Sequence, residues 1–214
     1  MRNAEKDEIE MTARRDAMLK EGFRLFSEKG IEAVSMNEVA NACGVGIATL
    51  YRYYKTKLEL VLAIGVAKWR DFAGHVQNRR AERSVDGMTA AEELDLYLDC
   101  YIDLYRDNKD LLRFNQNFNN YVQHEGATAE QMTPYLQAIG EFAGYFHRLY
   151  EKGKRDKTVR TDLPEKKLFA ATAHIMIAVA VRYAQGLIYA GESEEDRTEE
   201  YLLLKRMILR EFTL

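Results

Sequence analysis

Proline is almost missing from this 214-residue sequence, with only Pro134 and Pro164 present. Because proline breaks helices from within, its scarcity leaves long helices uninterrupted. Cysteine is equally sparse. Cys43 and Cys100 stand far apart and form neither a metal knuckle nor a redox pair, so reduced, buried thiols are expected. The histidines, His75, His124, His147 and His174, lack zinc-binding spacing, and no glycine-rich phosphate loop is present. The carboxylate pairs Glu92/Glu93 and Asp99/Asp103 read as solvated helix surface. No catalytic residue, metal or cofactor is therefore expected, and the chain does not read as an enzyme.

The net charge of −3 speaks against a protein coated in positive potential, while leaving room for one basic face. The opening "MRNAEKDEIEM" has no apolar run of the signal-peptide kind, which points to the cytoplasm. The longest apolar passage, residues 168–190, carries His174, Arg182 and Gln185, so no membrane span is expected.

What is present is rich in Leu, Ala, Glu, Lys and Met, strong helix formers, and the fold class is read as all-α. Met18, Leu19, Gly22, Leu25 and Phe26 recur at helical spacing up to a stop at Gly30. "SMNE" places Ser35 as a cap with Glu38 three residues on, and Thr89 with Glu92 repeats the arrangement. Between them, "NRRAERSVDGMTAAEE" reads as a loop. Thr133-Pro134 reads as the cap and first turn of a long helix ending near Gly153, Asp162 and Glu165 as starting signals for the next, and Gly191 and Ser193 as the break before the last. A small N-terminal domain, residues 1–55, is expected to precede a helical bundle, residues 56–214.

The most informative stretch is "ACGVGIATLYRYYKTK", residues 42–57. Gly44 and Gly46 flank Val45, which allows a tight bend, and helical pattern resumes at Ile47 with Leu50 and Tyr54 on an inner face. A supporting helix, a tight joint and a short second helix make a helix-turn-helix, whose second member can enter the major groove. No acidic residue occurs from Val39 through Leu58, whereas Arg52, Lys55 and Lys57 add positive charge. Thr49, Tyr51, Arg52 and Tyr53 form the expected contact edge. Arg52 can pair with guanine or clamp a phosphate, Lys57 suits backbone positioning, and Ser35 with its helix N-terminus offers a further phosphate site.

The region from "MLKEGFRLFSEKG" through "TLYRYYKTKLELVLA" resembles the DNA-binding domain of the tetracycline repressor (TetR) family. The resemblance implies Gly44 and Val45 as the turn and residues 47–53 as the recognition helix. It also implies Thr49, Tyr51 and Tyr53 at backbone contacts, Ile47 and Arg52 at base-selecting positions, and Lys57 facing phosphate. Gly46 departs from the usual serine, Ala48 from the usual glycine and Tyr54 from the usual phenylalanine. The family further implies a C-terminal bundle that holds a small effector and a homodimer interface, a palindromic double-stranded operator, and repression relieved by the effector.

The remaining sequence fits that outline. Ala170, Ala171, Ala173, Ala178 and Ala180 permit close helix approach, while Ile175, Met176, Val179 and Leu187 supply apolar area for a dimer seam through the last two helices. Tyr97, Tyr101 and Tyr105, then Phe114, Asn117, Phe118 and Tyr121, then Phe142 and Phe146, with His174, are candidate walls for an apolar or aromatic effector. The alternative is a dimeric helical protein-interaction module without specific DNA binding.

Overall fold

Side chains that return to their own backbone start several of the helices. Ser35, Thr89 and Ser193 each accept a hydrogen bond from the amide three residues on, while Glu38, Glu92 and Asp196 reach back to the cap amides. The computed structural model describes residues 4–186 and 193–214; the expected break at Gly191 and the seam residue Leu187 lie outside them. Its helices are α1 (Ala4–Lys29), α2 (Met36–Ala42), α3 (Ile47–Tyr53), α4 (Lys57–Glu82), α5 (Ala90–Asp107), α6 (Lys109–His124), α7 (Ala129–Asp156), α8 (Glu165–Gln185) and α9 (Glu194–Phe212), with one 3-10 turn at Val85–Gly87. The all-α class holds throughout the described residues.

Two compact units form, one from the chain up to Trp69 with Arg113–Leu136, the other from Arg70–Leu112 with Gln137–Leu214. In the first, Met18, Phe26, Val34, Val39, Ala40, Leu50, Leu60, Val61 and Ile64 are fully buried. Gly22 permits the close approach of α1 to α4, since a Cβ there would stand 2.8 Å from Ile64 Cδ1. In the second, α5 packs on α8 and α9. Tyr105 and Tyr201 meet edge to face at 5.8 Å, and the Tyr201 hydroxyl donates to Met176 O at 2.8 Å. The C-terminus is tied down by Arg160 N donating to Phe212 O at 2.7 Å and Leu214 N donating to Thr158 O at 3.0 Å.

Several sequence expectations are corrected. The loop expected from residue 78 begins later, because α4 continues to Glu82. Helix α7 starts at Ala129 rather than at Pro134, with Thr128 Oγ1 accepting from Gln131 N at 3.2 Å and Gln131 Oε1 accepting from Thr128 N at 2.8 Å. It also runs through Gly153 to Asp156, and that glycine serves close packing, since a Cβ would meet Val159 Cγ2 at 2.1 Å. Asp162 caps nothing; it accepts from Arg160 at 2.9 and 3.1 Å, and Pro164 is the residue before α8.

Glu93 and Asp103, expected in solvent, are buried. Arg80 and Lys152 lie 2.5 and 2.9 Å from Glu93, and Arg79 and Arg106 lie 2.6 and 2.9 Å from Asp103. Burial of a carboxylate is tolerated where cations replace its lost hydration, as they do at both sites.

Candidate nucleic-acid interface

The bend between α2 and α3 is built by backbone hydrogen bonds. Val45 N donates to Ala40 O and Gly44 N to Asn41 O, both at 3.0 Å, with Gly44 at φ +65°. This paired closure ends a helix through one left-handed residue, a conformation open to glycine at little cost. Gly46 does a different job. It precedes α3 in extended conformation, φ −69° and ψ 147°, and its carbonyl accepts from Thr49 N and Leu50 N at 2.8 and 3.3 Å.

Helix α3 then divides cleanly into two faces. Leu50 and Tyr54 face inward at 0% and 3% exposure, whereas Ile47 and Tyr51 are 36% and 47% exposed. Arg52 and Lys55 are exposed, and Thr49 and Tyr53 are half-buried. Arg15 sits 6.0 Å over the Tyr54 ring, and burial raises that phenol's pKa. With no acid from Val39 through Leu58, the outward edge carries only neutral and cationic groups.

Two candidates for phosphate contact are already engaged. The Ser35 hydroxyl donates to Glu38 Oε2 at 3.0 Å while accepting from Glu38 N at 3.2 Å. The Ser35 amide, and then its hydroxyl, hold the Glu38 carboxyl below its ordinary pKa. Lys57 Nζ donates to Glu32 O at 3.2 Å and lies 5.9 and 5.4 Å over the rings of Phe26 and Tyr121, with burial lowering its pKa. Its ammonium is thus turned toward neighbouring protein groups. A helix start near Lys57 is legible in the sequence, but not the contacts that cap it: Thr56 Oγ1 accepts from Glu59 N at 3.1 Å and Glu59 Oε2 accepts from Lys55 N at 2.7 Å.

The aromatic candidates are divided between the units. In the first, Phe114 and Phe118 are fully buried, and Phe118 stacks on Tyr135 at 4.3 Å. Tyr135 accepts from Trp69 Nε1 at 3.0 Å and donates to Asn115 Oδ1 at 2.9 Å, a polar chain that periodicity did not reveal. Asn117 Nδ2 donates to Arg113 O at 3.1 Å, and burial pushes Tyr121 up to about 12. In the second unit, the Tyr97 and Tyr101 hydroxyls lie 2.8 Å apart, and burial raises both pKa values. Phe146 packs edge-on to Tyr97 at 5.8 Å, Phe142 stacks on Phe72 at 5.6 Å, and Tyr105 donates to Glu194 Oε1 at 3.3 Å. His174 is exposed on α8.

That same face of α8 exposes Ala171, Ile175 and Ala178, and α9 exposes Leu203 and Met207. Ala173, Met176 and Ala180, expected on a dimer seam, are instead buried within the chain where α8 meets α5 and α9. Helix α8 is long and apolar enough to cross a membrane by length and composition, and its packing in the second unit accounts for part of that apolarity.

Comparison with known proteins agrees with this geometry. Residues 18–64 match the model of the bacterial regulatory proteins of the tetR family. An HTH-type transcriptional regulator of Staphylococcus aureus (strain USA300) is 32% identical over 100 residues, 47% of this chain and 52% of that protein. The match thus spans about half the length of that curated relative. A tetR-family regulatory protein from Rhodococcus RHA1 superposes with a TM-score of 0.72 at 17% identity, covering 92% of this chain and 96% of that one. FadR from Bacillus subtilis, solved in complex with stearoyl-CoA, gives 0.70 at 13% identity over 91% and 97% of the two chains. Residues 18–64 are thus similar to the tetR family of bacterial regulatory proteins, and the chain has the fold of the solved tetR-family structure, an N-terminal helix-turn-helix followed by a helical C-terminal domain.

Proposed function

We propose that this protein is a ligand-responsive transcriptional repressor that binds a palindromic operator as a homodimer and leaves it when a small-molecule effector binds. The observation that carries this reading is the exposed, carboxylate-free edge of α3, with Tyr51 and Arg52 outward and Leu50 and Tyr54 holding the helix from behind. Such an edge can approach a phosphate backbone without repulsion and place a guanidinium at the base edges. Two-fold pairing of copies through α8 and α9 would present that edge to successive half-sites. For the effector, the buried hydroxyl pair of Tyr97 and Tyr101 beside Phe146 supplies polar handles on an aromatic surface, which suits an apolar ligand with a polar end. The stearoyl-CoA bound by the FadR relative is a molecule of that kind.

The test is a mobility-shift series against a duplex selected from a random library by the purified protein. R52A is expected to relax preference at one base position by about 1–3 kcal/mol, and K57A to weaken all sequences together. Because Lys57 also bridges Glu32 and Tyr121, K57M, which keeps the apolar stem, separates loss of charge from loss of packing. If neither R52A nor K57A alters binding to the selected duplex, α3 is not the reading element.

A further inference from the structure

The second unit brings together three metal-ligating side chains that sequence spacing does not connect. His147 and Glu151 are one turn apart on α7, and Glu165 is the first residue of α8. His147 Nδ1 lies 3.0 and 3.1 Å from the Glu165 carboxylate oxygens, and one donor atom from each of the three residues lies within 4.8 Å of the others. Donors around a tetrahedral zinc ion stand about 3.4 Å apart, given metal–ligand distances of about 2.0–2.2 Å. Small rotamer shifts of half-exposed side chains cover the difference.

We propose that His147, Glu151 and Glu165 form a binding site for a divalent transition-metal ion of the zinc type, pinning α7 to the start of α8. One imidazole and two carboxylates supply two negative charges and a borderline-soft nitrogen, a donor set that favours zinc over magnesium. His147 and Glu151 also line a cleft of about 300 Å³, which leaves the open side of the ion free for water or a ligand carboxylate. Of the cleft's cations, Arg80 and Lys152 share the single negative charge of buried Glu93, and Arg148 and Arg155 line the cleft as well. The internal competitor is Lys154, whose Nζ lies 2.6 Å from Glu151 Oε1 and must yield when the ion binds.

This site stands independently of DNA binding and is tested without DNA. Zinc chloride is titrated into the chelator-treated full chain against a chromophoric zinc indicator, with magnesium chloride as the hard-cation control. One zinc per chain is expected, with affinity at least about tenfold lower in H147A and in E165Q. K154M should bind more tightly, because it removes the competing ammonium while leaving the ligands intact. Melting of each variant without metal confirms that it is folded. Absence of saturable zinc binding to the folded wild type overturns the site, as does equal affinity in wild type, H147A and E165Q.

Discussion

At the scale of single residues, the two glycines of the bend are not equivalent. Gly44 adopts φ +65°, where any Cβ is strained although nothing lies within 4 Å of it, so G44A should cost about 1–2 kcal/mol through the backbone alone. Gly46 sits in an extended conformation with open space around it and no side-chain cap on α3. G46S supplies a hydroxyl where the Thr49 and Leu50 amides emerge and restricts the unfolded chain, so a gain of about 0.5–1 kcal/mol is expected. Chemical denaturation of the two variants checks both signs. The spacing of these glycines was plain in the sequence, but the difference in their backbone angles was not, because each is compatible with a turn taken alone.

Helix starts show which features are legible locally. The boxes at Ser35 and Thr89 could be read in advance because cap and partner are three residues apart and need nothing else. The buried carboxylates Glu93 and Asp103 could not, because Arg80, Lys152 and Arg79 reach them from α4 and α7. The boxes also give the protein an acid signature. Glu38, Glu92 and Asp196 all titrate below their ordinary values, first because the cap amide donates to each and then because the cap hydroxyl does. A depressed folded pKa means that the stabilisation is complete above the unfolded value, about 3.9–4.3, and is lost as pH falls through the folded value. The triple variant E38Q/E92Q/D196N should therefore melt below the wild type at pH 7, with the gap closing toward pH 3. A gap that stays constant across this range would show that the boxes contribute no charge-dependent stability.

At the scale of the whole molecule, the exposed apolar surface of α8 and α9 is the seam through which the proposed homodimer would form. Ile175 is 44% exposed, Leu203 50% and Met207 60%, alongside the small residues Ala171 and Ala178. Small side chains let a partner helix approach closely, and the larger ones supply the area that drives association. Sequence periodicity located this helix pair but not its outward face, because the alanines are spread around α8 and only packing against α5 and α9 shows which of them are spent inside the chain. I175D/M207D places two carboxylates on the outward face while leaving the buried Ala173, Met176 and Ala180 untouched, so the chain should fold and sediment as a monomer. A dimer holds its second recognition helix at high effective concentration over the second half-site, an advantage of about 10²–10⁴ in affinity. The double variant should lose that factor on a palindromic duplex and little of it on a single half-site. Equal losses on the two duplexes would instead locate the defect in the reading head, and a variant that remains dimeric would place the interface on another face.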